Sequence, residues 1–140
     1  MKDGGEAKQG SAGESLHALE RDPRRQRRSW IDLADENISF GSLAEGADPD
    51  AFTRKLQGKS SLRSYFDGLT SNWTMLHHTM DRLVAEGDQV VAIGSCAWKY
   101  NKTGKIVETP IVNVWRFKNG KAVSYYEFYD TAKMFAATAP

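Results

Sequence analysis

A single cysteine, Cys96, is present, which excludes an internal disulfide and a cysteine-built metal cage. Excess charge of either sign is equally scarce. Nineteen Lys and Arg against eighteen Asp and Glu leave +1 over 140 residues, so the chain has no broad basic field for nucleic acid or anionic lipid. Long apolar runs are missing too. The longest, at about 89–98, is far below the ~20 residues of a membrane span. The opening residues Met1-Lys2-Asp3-Gly4-Gly5-Glu6 lack the apolar core of a signal peptide, and the expected location is the cytoplasm. No glycine-rich phosphate loop, nucleophile elbow or dinucleotide fingerprint occurs, and the reading assigns no cofactor, no nucleic-acid partner and no membrane.

What remains, 40% hydrophobic and 26% charged, fits one globular domain. Residues 1–13 hold little that could be buried and read as a tail, leaving residues 14–140 as a single domain. Leu16 and Leu19 begin a helical spacing, and Asp22-Pro23 reads as the cap of a second helix ending near Asp35. Arg24, Arg25, Arg27 and Arg28 on that helix are bracketed by Glu20, Asp22, Asp32 and Asp35, the pattern of a solvated face. Ile38–Phe40 is a short strand candidate, followed by a long loop from Gly41 to Gly58. Residues 60–68 then read as a helix with a Ser cap and Gly at its exit. Glu86-Gly87-Asp88, Asn101–Gly104 and Lys118-Asn119-Gly120 are turn signals that delimit strands near 73–85, 89–100, 105–117 and 121–129. Asp130-Thr131 caps a short closing helix through Phe135. The order is α+β, with helices on one face of a curved antiparallel sheet and a cone-shaped interior as the expected site.

Register assigns the faces. The loop at 101–104 places Trp98 opposite Val107, Cys96 opposite Thr109 and Gly94 opposite Ile111, so Gly94, Cys96, Trp98 and Tyr100 share a face with Thr109, Ile111, Asn113 and Trp115. The last hairpin has two readings. A two-residue Asn-Gly turn puts Tyr126 and Phe128 on the face of Asn113. A three-residue turn with Gly120 as a bulge puts Val123, Tyr125, Glu127 and Tyr129 there. The second is preferred, because it leaves Val112, Val114, Tyr126 and Phe128 as one outer patch, through which a homodimer is expected.

That register surrounds Asn113 and Glu127 with Trp98, Tyr100, Trp115, Tyr125 and Tyr129. A carboxylate walled by aromatic rings loses hydration, its pKa rises, and it becomes suited to proton transfer. Glu127 is the candidate acid–base and Asn113 the candidate oxyanion donor; Tyr65, from the preceding helix, joins the rings as a substrate-binding residue. Of the adjacent histidines, a two-residue Gly87-Asp88 turn sets His77 opposite Trp98, so His77 is expected in the pocket. No carboxylate stands at a supporting spacing, and no metal is assigned. Cys96 reads as a buried small hydrophobe.

Several segments carry a family resemblance: Leu33-Ala-Asp-Glu-Asn-Ile-Ser-Phe40, Gly58-Lys-Ser-Ser-Leu-Arg-Ser-Tyr-Phe66, Glu86-Gly-Asp-Gln-Val90, Thr103-Gly-Lys105, Thr109-Pro110, Trp115-Arg-Phe-Lys-Asn-Gly-Lys121 and Glu127-Phe-Tyr-Asp-Thr131. Over about residues 16–137 the chain resembles the nuclear transport factor two-like superfamily, most closely its SnoaL-like and ketosteroid-isomerase-related proteins. The resemblance implies a cystatin-like α+β barrel closed by N-terminal helices, usually dimeric, with one deep pocket. It also implies departures. The isomerase general base falls at about Gly41, its oxyanion-donating acid on Asn113, and its first-helix tyrosine near Ser15 to His17. Of the acidic and basic set of limonene-epoxide-hydrolase-like members only Glu127 corresponds. Polyketide-cyclase-like members need only a pocket carboxylate. The expectation is a general acid–base enzyme of cyclase, isomerase or dehydratase type acting on a small hydrophobic molecule; the alternative is a noncatalytic ligand-binding or dimerisation module.

Overall fold

Six strands form one sheet in the order β2-β1-β6-β5-β4-β3. The computed structural model describes residues 30–45 and 55–140; the tail, the helices read before Trp30 with their arginines, and Asp48-Pro49-Asp50 lie outside the described residues. A helical turn at 30–33 leads into β1 (Ala34–Ser42). Then follow β2 (Leu56–Gln57), α1 (Lys59–Asn72), β3 (Trp73–Glu86), β4 (Gln89–Tyr100), β5 (Ile106–Lys118), β6 (Lys121–Tyr129) and α2 (Thr131–Thr138). Three of these strands span 12 to 14 residues, long enough for the sheet to curve around an interior. The expected α+β class and curved sheet are present, with β1 running parallel to β6 and β2 added at its free edge.

Both helices differ from the sequence reading at their ends. Gly58, not a serine, stands at the start of α1, with φ +93° and no side-chain cap; only glycine adopts that backbone readily. The helix then runs through Gly68 to Asn72, burying Leu62, Tyr65 and Phe66 at the spacing of one helical face. It passes directly into β3, where the Trp73 N–H donates to the Leu69 carbonyl. At the other end of the chain Asp130 does cap α2, its carboxylate accepting from the Lys133 N–H at 3.1 Å. That helix continues past Phe135 to Thr138, and Lys105 Nζ donates to the Ala139 carbonyl just beyond it at 2.8 Å.

Turn chemistry sets most of the register. Glu86 pairs with Gln89 across Gly87-Asp88, and Trp98, Cys96 and Gly94 pair with Val107, Thr109 and Ile111, as the turns predict. The last hairpin combines the two readings. Lys118 pairs with Lys121 across a two-residue Asn119-Gly120 turn, both residues having positive φ, the twist that suits a tight hairpin. One extra residue, Val123, then interrupts the ladder, since Phe117 pairs with Ala122 but Arg116 with Ser124. That bulge brings Tyr125, Glu127 and Tyr129 opposite Trp115, Asn113 and Ile111, the preferred arrangement reached without a bulge at Gly120. Val123 itself is the bulged residue, and Ala122 takes the fully buried place beside it.

The larger departure is in β3, which carries two extra residues against β4. Asp81 interrupts the ladder between Met80 and Arg82, and Leu76 interrupts it between Met75 and His77. The first of these reverses the faces of every residue on its N-terminal side until the second. His77 therefore pairs with Ala97 rather than Trp98, and His78 pairs with Cys96. Gly94 makes room for this: a Cβ there would collide with the Thr79 carbonyl oxygen and lie 2.9 Å from Met80 Cα.

Candidate functional site

Between the curved sheet and α1 lies a cavity of about 650 Å³, within the range of small-molecule sites. From α1 it receives Tyr65, Phe66, Leu69 and Thr70, and from β3 Trp73, Thr74, Met75 and His78. The other strands contribute Cys96, Trp98, Val107, Thr109, Ile111, Tyr125, Glu127 and Tyr129, while Trp30 and Met134 complete it. The described lining contains one carboxylate and no Lys or Arg.

Glu127 is fixed by two phenols. Tyr65 Oη donates to its carboxylate at 3.2 Å, and Tyr125 supplies a second side-chain hydrogen bond. The residue keeps partial exposure to the cavity, yet protein surrounds the carboxylate closely enough that burial pushes its pKa up to about 7, against the opposing pull of both phenols. Burial, and then the Glu127 charge, hold the hydroxyls of Tyr65 and Tyr125 well above the usual tyrosine range, so both stay protonated donors. Tyr129 stands beside them, its hydroxyl 3.2 Å from Ser42 Oγ. Cys96, facing the cavity, is raised to about 12 by burial and then by Glu127. It is a thiol at working pH and no nucleophile.

Of the residues expected in the pocket, Glu127, Tyr125, Tyr129, Trp98 and Tyr65 meet there. Four others are placed elsewhere. Asn113 faces inward, opposite Glu127 on the neighbouring strand, but is 0% exposed and absent from the described lining. Its amide oxygen and nitrogen have no hydrogen-bond partner, and it reaches no ligand in this arrangement. Trp115 is buried behind the lining, with its ring 5.0 Å from Trp30 and 4.5 Å from Tyr125. Tyr100 packs on Trp73 at 4.8 Å and stays behind it. His77 points to the outer face, 3.8 Å from the Glu108 carboxylate, a consequence of the Asp81 bulge.

His78 takes the inward place. Its ring lines the cavity, and burial, then the neighbouring His77, lower its pKa to about 4, so the imidazole is neutral. The sequence reading missed it, although a glycine inside a strand, here Gly94, is a known sign of a bulge or close backbone approach. Trp30 was also missed. It packs edge-on against Phe66, Trp115 and Tyr125 and covers one wall, a role its place beside four arginines gave no reason to expect.

The family model for the SnoaL-like domain matches residues 20–125. The chain belongs to the SnoaL-like family. Among solved structures, this SnoaL-like chain is similar to an NTF2-like protein of unknown function from Burkholderia pseudomallei, with a TM-score of 0.80 at 22% identity over 94% of this chain and 98% of that one. A Bacillus subtilis protein provisionally named an isomerase gives 0.78 at 20% identity over 93% and 94%. A Mesorhizobium loti protein provisionally named a SnoaL-like polyketide cyclase gives 0.72 at 20% over 86% and 97%. These likenesses carry the fold. No curated protein matches.

Proposed function

We propose that this SnoaL-like protein is a general acid–base enzyme of cyclase, isomerase or dehydratase type, acting on a small hydrophobic or aromatic molecule. One observation carries the reading: the single carboxylate of the described lining, raised to about 7, stands at the wall of a largely apolar cavity. A group with that pKa exists in both protonation states near neutral pH, so it can take a proton from one atom and return it to another. In such a cycle the Glu127 carboxylate removes a proton from carbon beside a substrate carbonyl. Tyr65 and Tyr125 hold the carboxylate in place, and the rings of Trp98 and Tyr129 exclude water from the forming enolate. The names of the Bacillus subtilis and Mesorhizobium loti proteins are of the same reaction types.

The test uses 2-tetralone as a probe, following exchange of its α-protons in D2O by NMR. The wild-type protein is expected to accelerate exchange, and Glu127→Gln to lose roughly 10²–10⁴ of the acceleration. Exchange unaffected by Glu127→Gln would instead favour the noncatalytic binding module. The proposal extends to assembly: two copies pair through the outer face, where Val112, Val114, Tyr126 and the 40% exposed Phe128 adjoin.

A further inference from the structure

The acid–base reading uses one wall of the cavity and leaves the opposite one unexplained. Glu127 stands on β6, and β5 and β4 separate it from β3, which contributes His78 to the lining beside Trp73, Thr74 and Met75. Two features show a ring set up to meet something. The Asp81 bulge turns it inward, and such interruptions recur where a strand re-aims a side chain at a site. Its Nδ1 is also sealed from water and has no hydrogen-bond partner, so a ligand reaches this ring only through Nε2.

Chemistry then fixes what Nε2 offers. A neutral imidazole has one N–H and one lone pair. A sealed N–H without an acceptor is costly; with the lone pair on the sealed Nδ1 and the proton on Nε2, the N–H is left to meet a ligand acceptor, and this tautomer is part of the proposal. The atom facing that N–H must be an acceptor. Among the described lining residues no Lys or Arg stands ready to balance an anion, and burying an unpaired charge is costly, which favours an uncharged acceptor.

We propose that His78 Nε2–H is a specificity-determining donor, and that the ligand is a ring-sized apolar molecule presenting a ketone or ether oxygen to the β3 wall while its reacting end lies at Glu127. The proposal deepens the acid–base reading and rests on it. The cavity thus offers a carboxylate on β6 and an imidazole on β3 in a largely apolar lining, which suits a molecule with oxygen at both ends.

Two shape-matched probes test it, 6-acetyl-2-naphthol and 6-isopropyl-2-naphthol, compared by calorimetry. The wild-type protein should bind the acetyl probe about tenfold more tightly, the worth of one hydrogen bond to a buried donor. In His78→Phe that preference should fall to one or below, and His78→Gln, which keeps an N–H, should restore part of it. An acetyl preference unchanged in His78→Phe overturns the proposal while leaving the pocket reading intact. Failure of both probes to bind the wild type overturns both. Nitrogen-15 NMR of the wild-type imidazole gives an answer that does not depend on the variants folding: the proton should be on Nε2, and a proton on Nδ1 refutes the assignment.

Discussion

Two buried groups facing one cavity titrate in opposite senses. Glu127, raised to about 7, is protonated in the native state where the unfolded chain, with a carboxyl near ~4.3, has already ionised. Its contribution to stability is full below pH ~4.3 and is lost as pH rises through 7. His78, lowered to about 4, stays neutral where the unfolded imidazole, near ~6.5, has taken a proton. Its contribution is full above pH ~6.5 and is lost as pH falls through 4. Between about pH 4.5 and 6.5 the two slopes offset each other. Urea unfolding across that window should show His78→Phe losing stability as pH rises and Glu127→Gln losing it as pH falls, each by roughly 2–3 kcal/mol relative to the wild type. Identical slopes in all three proteins would mean that neither group is buried. Tyr65→Phe removes a donor to the carboxylate, so the Glu127 pKa should move further above 7, as read by carboxyl NMR.

At the scale of elements, the bulge in β3 decides which histidine enters the site, and Gly94 permits that bulge. Gly94→Ala forces a methyl group into the Thr79–Met80 backbone and should cost more than about 2 kcal/mol in denaturant unfolding; stability unchanged within error would show that β3 and β4 have room to spare. The same comparison explains what the sequence made legible. Three turns carry their own signals in Gly87, Gly104 and Asn119-Gly120, each at positive φ, and they place the β3–β6 hairpins, whereas the face of Glu127 depends on a bulge expected at Gly120 and found at Val123. Interruptions at Leu76, Asp81 and Val123 carry no turn residue, so alternation counted from the turns runs past them. His77 was assigned inward for that reason alone. Asn113 failed differently: its face was right, but alternation says nothing about how deeply a side chain on that face is buried.

At the scale of the whole molecule, the outer sheet face leaves Ile93 and Phe128 exposed. Ile93 opposite Val112, together with Tyr126 against Phe128 at 5.0 Å, continues the apolar patch across β4, β5 and β6, larger than a lone surface residue would explain. Sedimentation should show a dimer for the wild type and a monomer for the double variant Val112→Lys, Phe128→Lys; a wild-type monomer would discard the pairing. Among the described residues no helix is long and apolar enough to cross a membrane. The direct passage from α1 into β3 also has a mechanical meaning. Asn72 ends the helix and Trp73 begins the strand, so the element covering the cavity and the wall beside it form one rigid elbow with no slack at which to hinge. For a ligand passing that elbow, opening comes from rotation of the lining side chains Trp73 and Met75 and not from a hinge between helix and strand. Its association rate should therefore be unchanged when a cross-link ties α1 to β3.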